Sequence, residues 1–486
     1  FSDRQGPRRA LTIVVIIWSV FTALSGAVFT AISLLVVRFL FGVGEAGAYP
    51  GATRALYTWL PARERGIGQG IFHSGARIGA AVSLVLMPWL IELIGWRMTF
   101  VANAVVGLIW GIVWWFWYRD TPRSHPSVSE GEATLIERDL QREEAQQQRD
   151  NVSFFQIVTS ANVLLAMVQY VASNITFFIC LTWLQPFIVD TWGKEFRYTA
   201  AIPLLCGAVS LWLSGSMVTR LHSAGRLVLS RRLPPIIGFT IAAIALVFCS
   251  LIVQPDYSNS GDTGQNDVVA TSTDADSDSD SATNPREKPR GSIWLFILCF
   301  SIATFGVEMT LSPSWAFCMD IGGSRSGAVS ASMNMMGNLG AALTAVAFPL
   351  LMAHATIPGW VPRTGTAAPF FLFAASLNLI AIFAWCWMNP LRQLKPVSPA
   401  VLRWRVIAFA VLFIGAVVCV IGKFVTSGKK SADTDKPPAA ISQPEAEASP
   451  DSAQAPDGAQ APDGAQAPDG AQAPDRESAE PINEND

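Results

Sequence analysis

Ten stretches of this chain are apolar over about 20 residues or more, which is the length that a helix needs to cross a bilayer. They occupy residues 10–30, 32–59, 66–91, 98–118, 161–188, 199–219, 234–253, 292–318, 327–352 and 368–389. An eleventh apolar stretch runs from about Val406 to Val425. Only 15% of the residues are charged, whereas soluble domains carry about 25%. The sequence therefore predicts an all-α integral membrane protein with many spans.

The positive charges between these stretches alternate from one side to the other. If the N-terminus lies in the cytoplasm, nineteen Lys and Arg residues fall in the cytoplasmic loops and four in the short loops opposite. Because positively charged loops stay in the cytoplasm, this asymmetry predicts the orientation of every span. We expect a bacterial-type inner (plasma) membrane location, with the C-terminal tail outside the cytoplasm.

Polar segments divide the chain into predicted domains. A charged cytoplasmic linker at 119–152 separates two groups of spans, and Ser129 and Glu132 are spaced as the capping box of a short helix within it. The acidic segment 254–291 and the tail 428–486 contain too few apolar residues to form a core, so we expect both to be disordered. The remaining parts are an N-terminal bundle at 1–118, a C-terminal bundle at 153–390 and an extra transmembrane helix at 391–427.

The sequence offers no sign of a soluble enzyme, a metal site or a cofactor site. The four histidines are scattered without the spacing of metal ligands, and none of the seven cysteines belongs to a CxxC pair. The cysteines lie in apolar stretches, which is typical of small core residues. With a net charge of −3, the chain has no basic surplus for nucleic acid. We expect no metal, cofactor or nucleic-acid partner.

Motifs that resemble one transporter family occur in order along residues 1–390. The opening run SDRQGPRR at 2–9 resembles the signature loop of the major facilitator superfamily, which lies between its second and third spans. The run RFLFGVGEAG at 38–47 resembles the fourth span of the anion:cation symporter family, which includes hexuronate, galactonate and glucarate permeases and sialin. Trp315 and the run SMN at 332–334 resemble its tenth and eleventh spans.

This resemblance implies a major facilitator fold, in which two pseudo-symmetric six-helix bundles bind substrate midway and rock to give alternating access. The signature loop follows two spans in relatives and opens this chain, so the first two spans of that plan are predicted to be missing from it. The extra helix and the tail are additions to the plan. Ala76 stands where some sugar-acid carriers have Gln, and Thr219 stands where the repeat of the signature loop usually has Asp. The resemblance also implies a conformational brace formed by Asp3, Arg4 and Arg8.

Five charged residues lie inside the predicted spans, where a charge costs about 2.5–3.5 kcal/mol on insertion scales. Arg54 lies near the cytoplasmic end and is expected to reach the interface, which leaves four candidates for function. Arg38 and Glu45 are seven residues apart and share one helix face. They form either a structural ion pair or a proton-coupling site, and the resemblance favours the second. Glu308 is either a second proton site or a partner for Arg77. Arg77 either pairs with a carboxylate in the missing spans or binds the carboxylate of the substrate.

Five uncharged residues are candidates for substrate binding. Trp315 and Asn334 match family positions that face the substrate, although Trp is also common as an anchor at the membrane interface. Tyr49, Asn174 and Asn338 are further candidates of the same kind. Close helix packing is predicted at three GxxxG pairs, which are Gly47/Gly51, Gly66/Gly70 and Gly75/Gly79.

The functional prediction is secondary active uptake of a small organic anion by a monomeric carrier. The substrate expected from the resemblance is a monocarboxylate sugar acid such as a hexuronate or galactonate, moved together with protons or with Na⁺. One alternative is a non-transporting sensor with the same fold. Another is an exporter of amphipathic compounds, although charges inside the spans favour a charged substrate over an apolar one.

Overall fold

The structure is a computed structural model that describes residues 2–146, 152–254 and 291–418, apart from short gaps at 358–359, 362–363, 393, 395–396, 412–413 and 416–417. Three sequence predictions fall wholly or largely outside the described residues. They are the disordered acidic segment at 254–291, the end of the extra helix and the repeat tail at 428–486.

The described residues before 390 form fifteen α-helices. They are α1 (Ser2–Gln5), α2 (Pro7–Gly26), α3 (Ala31–Glu45), α4 (Ala48–Trp59), α5 (Arg65–Trp117), α6 (Glu130–Gln146), α7 (Phe154–Val158), α8 (Ala161–Thr182), α9 (Leu184–Trp192), α10 (Ala201–Ser223), α11 (Leu227–Ile252), α12 (Ile293–Glu308), α13 (Leu311–Gly322), α14 (Ser326–His354) and α15 (Ala368–Trp387). A further helical stretch begins at residue 399, inside the range 391–427 predicted for the extra helix.

Eight segments of the described residues are long and apolar enough to cross a membrane. Two of them, Arg65–Trp117 and Ile293–His354, have 53 and 62 residues and hold two of the predicted apolar stretches each. The first segment breaks at Gly95, whose φ of 77° favours glycine. The expectation of an all-α integral membrane protein is confirmed.

The exposed side chains of the outer helices are apolar, as expected for contact with lipid rather than water. Large side chains on α3, such as Ile32 and Phe39, are 76% and 72% exposed, as a lipid-facing helix requires. In the second half, the rings of Phe296, Phe300 and Phe371 are fully buried with centroids 5.8–6.0 Å apart. The C-terminal half therefore has a dense aromatic core of its own.

The linker helix α6 begins as its sequence predicts. The backbone N–H of Glu132 donates to Ser129 Oγ at 3.2 Å, which is the N-cap bond of a helix start. Arg123, just before the helix, contacts the carboxylate of Glu137 at 3.0 Å. Both contacts lie in the polar segment between the two groups of apolar helices.

The two halves of the protein meet along α5 and α10 through glycines. A Cβ added to Gly215 would lie 2.8 Å from the carbonyl oxygen of Gly66, and one added to Gly70 would lie 2.5 Å from the carbonyl oxygen of Leu211. The N–H of Ile67 donates to Thr219 Oγ1 across the same crossing at 3.2 Å. Thr219 thus takes part in the contact between the halves.

Close packing is confirmed for two of the three predicted glycine pairs and is wrong for Gly75 and Gly79. Side chains of α2 contact Gly47 and Gly51, whereas no atom lies within 4 Å of a Cβ added to Gly75 or Gly79. Farther along α5 and α10, a cavity of about 550 Å³ lies between them, with Ala81 and Leu205 in its wall. The glycine crossing and this cavity thus lie at different levels of the same helix pair, and Ala81 also packs in the apolar core of the C-terminal half.

The glycine crossing can be tested with a matched pair of substitutions. We expect Gly70→Ala to destabilise the protein by about 1–3 kcal/mol, because its methyl group collides with the Leu211 carbonyl. Gly75→Ala should be neutral or slightly stabilising, since it fills open space on the same helix. Thermal unfolding in detergent measures both, and equal losses would contradict the proposed crossing.

Candidate functional site

Aromatic and charged side chains from both halves meet in the middle of the protein. Tyr49 of α4 stacks on His73 of α5, with centroids 5.4 Å apart and ring planes 8° from parallel. Trp315 of α13 lies 5.1 Å from His73 and 5.9 Å from Tyr170 of α8. Trp315 is fully buried, so the role of interface anchor does not apply to it.

A buried ion pair links the halves beside these rings. Arg77 Nε of α5 lies 2.9 Å from Glu308 Oε2, and the two side chains are only 9% and 1% exposed. The guanidinium also lies 3.7 Å above the ring of Phe177. Neither carboxylate oxygen of Glu308 receives an aligned hydrogen bond from the described residues. Charge attraction therefore holds the pair, and a second carboxylate able to take the Arg77 donors in line would compete for them.

The structure places Glu308 at a break between helices. Glu308 is the last residue of α12, and α13 starts at Leu311. Of the roles left open by the sequence, Glu308 is the partner of Arg77, and Arg77 pairs with a carboxylate from the other half of the chain. This ion pair is compatible with proton exchange at Glu308 and with substrate binding at Arg77.

Arg38 and Glu45 are not brought together as an ion pair in the described part of the chain. Arg38 is exposed, and its guanidinium lies 4.9 Å from the ring of Phe100 and 5.6 Å from that of Phe41. Two helical turns separate the two backbone positions by about 10 Å, so the side chains must reach toward each other to pair. Glu45 lies instead in the wall of a cavity of about 380 Å³, together with Tyr49.

The three predicted asparagines differ in their surroundings. Asn174 of α8 is buried and packs against Gly337 of α14, where a side chain would collide with it. Asn334 is half-buried and Asn338 is exposed. Among the described residues, no hydrogen bond is found for Asn334 or Asn338 side chains. Asn174 lies one turn from Tyr170 on α8, and both side chains lie beside Gly337.

Asp3 joins the two halves at the end where α5 and α10 touch. Its carboxylate accepts hydrogen bonds from the N–H groups of Gly327 and Ala328 at 3.2 and 3.0 Å, at the start of α14. A carboxylate is favoured there because the N-terminus of a helix carries partial positive charge. Arg54 Nε also lies 3.8 Å from Asp3.

The two arginines of the same loop behave differently from Asp3. Arg8 Nε donates to the carbonyl oxygen of Trp115 at 2.9 Å, and its backbone N–H donates to Asp120. These contacts stay within the N-terminal half. Arg4 is exposed. Only Asp3 of the three predicted brace residues contacts the opposite half in the described structure.

Sequence reasoning missed His73, Tyr170 and a second buried ion pair. Arg231 Nε donates to Asp320 Oδ2 at 2.7 Å and a second guanidinium nitrogen donates to Oδ1 at 3.2 Å. The spacing of metal ligands gives no indication of a lone buried imidazole such as His73. The available signal was a polar residue at every fourth position of α5, ending at Arg77.

These features together define a helical membrane protein with a charged, aromatic site between two halves, as in membrane carriers. The family model of the Major Facilitator Superfamily matches residues 1–345, and the chain belongs to this superfamily. The expected fold is confirmed, and the match is to a family of transporters rather than enzymes.

The chain is similar to curated transporters of small acids. It is 26% identical over 394 residues to the probable sulfoacetate transporter SauU of Cupriavidus necator, covering 80% of each chain. It is 30% identical to the probable galactarate/D-glucarate transporter GudP of Bacillus subtilis over 52% of this chain and 57% of that protein. It is also 30% identical to the probable L-galactonate transporter of Escherichia coli, over 51% and 53%.

A solved structure supports the fold alone. The proton:xylose symporter XylE matches with a TM-score of 0.55 and 13% identity, over 80% of this chain and 81% of that chain. The sequence prediction of the superfamily and of relatives that carry sugar acids is confirmed by these comparisons.

The Arg77–Glu308 pair can be tested through stability. We expect Glu308→Gln to lower the free energy of unfolding by about 3–5 kcal/mol, because it leaves Arg77 buried without its counter-charge. The double variant Arg77→Met/Glu308→Gln should recover most of that loss, since no buried charge is left unpaired. Glu92→Gln, an exposed position on α5, is the control. Additive losses in thermal unfolding would show that the two residues act independently.

Proposed function

We propose that the chain carries a small organic anion, a sugar acid such as a hexuronate or galactonate, across the bilayer by proton symport. The observation that carries this proposal is the buried Arg77–Glu308 pair, in which each half of the protein supplies one charge. A buried pair of this kind is rare inside a membrane and marks a substrate or proton site.

The pair couples anion and proton by competition for one guanidinium. While Glu308 is ionised, it occupies Arg77. When Glu308 takes up a proton, the attraction is lost and Arg77 can fork onto the carboxylate of the substrate. One proton and one carboxylate then enter together, so the charge buried between the halves does not change.

The surroundings of the pair suit a small polar substrate. Ligand sites combine aromatic walls with a few placed polar groups, and here the walls are Tyr49, Trp315 and Phe177 around Arg77. Asn174, Asn334 and Asn338 are assigned to hydrogen bonds with substrate hydroxyls. The names of the relatives, which include a galactarate/D-glucarate and an L-galactonate transporter, support this substrate class.

Alternating access fits the shape of the interface between the halves. The glycine crossing and the Asp3 contacts close one end, and the cavity between α5 and α10 lies toward the other. Rocking about the central pair would exchange these ends. Asp3, supported by Arg4 and Arg8 of its loop, is the proposed brace of this state. We assign the closed end to the cytoplasm of a bacterial-type inner membrane, because the Arg-rich loops lie there.

Glu45 is the second carboxylate in this scheme. It lines the cavity that also contains Tyr49, and Arg38 on the same helix is the positive charge nearest to it in sequence. A proton on Glu45 would lower the cost of its place near the middle of the bilayer. Transport measurements separate its role from that of Glu308.

The decisive experiment is uptake of labelled D-galactonate and D-glucuronate by proteoliposomes that contain the full chain. We expect accumulation when the outside is acidic, and none when a Na⁺ gradient replaces the pH gradient. Glu308→Gln should reduce accumulation at least tenfold and preserve exchange of labelled for unlabelled substrate, because it mimics the protonated state. Glu92→Gln should behave as wild type.

Each other result points elsewhere. Loss of proton-driven accumulation in Glu45→Gln but not in Glu308→Gln would move the coupling site to α3. Uptake driven only by Na⁺ would replace the coupling ion. Substrate binding without uptake would identify a sensor, and absence of both would reject sugar acids as ligands.

A further inference from the structure

Four buried polar side chains follow one stripe of α5 at every fourth residue. Arg65, Gln69, His73 and Arg77 are 2%, 0%, 1% and 8% exposed. Residues four apart lie on one helix face, with a rise of about 6 Å between successive members. The stripe runs from the closed end of the interface to the Arg77–Glu308 pair. The scheme proposed above uses only its last member.

The two middle residues have polar atoms with no bonding partner. Both polar atoms of the Gln69 amide and both ring nitrogens of His73 are buried without a hydrogen bond to any described residue. Buried polar side chains are nearly always hydrogen-bonded. Tyr49 stacks on one face of the His73 ring, and this contact leaves the two nitrogens at the ring edge available to a ligand. A polar ligand bound between Gln69 and His73 would supply the hydrogen-bond partners that these side chains lack.

We propose that Gln69 and His73 form a second subsite that binds the hydroxyl groups of a polyhydroxy acid whose carboxylate lies at Arg77. This assignment rests on the proposed function. One helical turn, about 6 Å, separates Arg77 from His73, and a six-carbon chain is long enough to bridge the two. Gln69 continues the subsite one turn farther from Arg77.

The choice of hydroxyl groups follows from the donors and acceptors. The amide of Gln69 has an N–H₂ donor and a carbonyl acceptor, and a neutral imidazole has one N–H donor and one bare nitrogen. A hydroxyl group both donates and accepts, so neighbouring hydroxyls can satisfy all of these atoms. A carboxylate or sulfonate only accepts, and it would leave the Gln69 carbonyl and the bare nitrogen of His73 unpaired.

The position of the subsite gives it a role in release toward the closed end. The α5–α10 crossing and the Asp3 contacts cover it in this structure. When that end opens, Gln69 and His73 become the first polar groups that the substrate meets beyond Arg77. A polyhydroxy acid can keep its hydroxyls hydrogen-bonded to Gln69 and His73 as it moves along the stripe. An acid without hydroxyls gains no such hydrogen bonds.

The test compares two acids of equal length on the purified full chain, by isothermal titration calorimetry. D-Galactonate carries hydroxyls and hexanoate does not, while both offer one carboxylate to Arg77. We expect wild type to prefer galactonate at least tenfold. Gln69→Leu and His73→Phe should each weaken galactonate binding by about three- to tenfold and leave hexanoate binding unchanged.

Matched controls separate the subsite from a general effect on folding. Gln254→Leu and His222→Phe make the same changes at side chains that also have an unpartnered nitrogen but lie at helix ends away from the site. They should keep the preference for galactonate. Gln69→Asn and His73→Gln keep a donor and an acceptor, and they should lose less than the apolar variants.

The outcomes distinguish the subsite from the proposed function. If folded Gln69→Leu and His73→Phe keep the full preference for galactonate, the proposal that these residues bind the substrate is overturned. An equal loss of hexanoate and galactonate binding in these variants would overturn the assignment to hydroxyls. If wild-type protein binds neither galactonate nor hexanoate, the proposed function fails, and this inference fails with it.

Discussion

A charge placed in an apolar solvent must find a partner, and the contact between Arg77 and Glu308 is how this protein meets that requirement. Each residue would be costly alone, because removal of one partner from a buried pair leaves an uncompensated charge. The contact therefore ties the two halves together at their centre. Loss of either charge would remove this attraction between the halves.

The halves also contact each other away from this pair, through small residues and through a carboxylate. Small residues allow α5 and α10 to touch at Gly66 and Gly215. Asp3 adds a charge-assisted contact to the helix start of α14 at the same end. The aromatic group of Tyr49, His73 and Trp315 also crosses between the halves, beside the Arg77–Glu308 pair.

The local properties of the sequence identified much of the fold before any packing was known. Apolar length located the helices, Ser129 located the start of α6, and the motifs at 2–9 and 38–47 indicated the superfamily. These features depend on residues close together in the chain. The missed residue His73 has a weaker local mark, its place among polar residues at every fourth position of α5. That spacing predicts a shared helix face and leaves the role of His73 open.

The sequence by itself determined that this is an all-α membrane protein of the major facilitator superfamily, because spans and motifs are written in consecutive residues. Only the tertiary structure decided which charges meet. Glu45 shares a helix with Arg38, yet Arg38 rests on Phe100, while Arg77 pairs with Glu308 from the other half. The physical reason is that a pairing depends on which helix faces pack together and how far each side chain reaches. The spacing of two residues along one helix determines neither the packing of the helix faces nor the reach of the side chains.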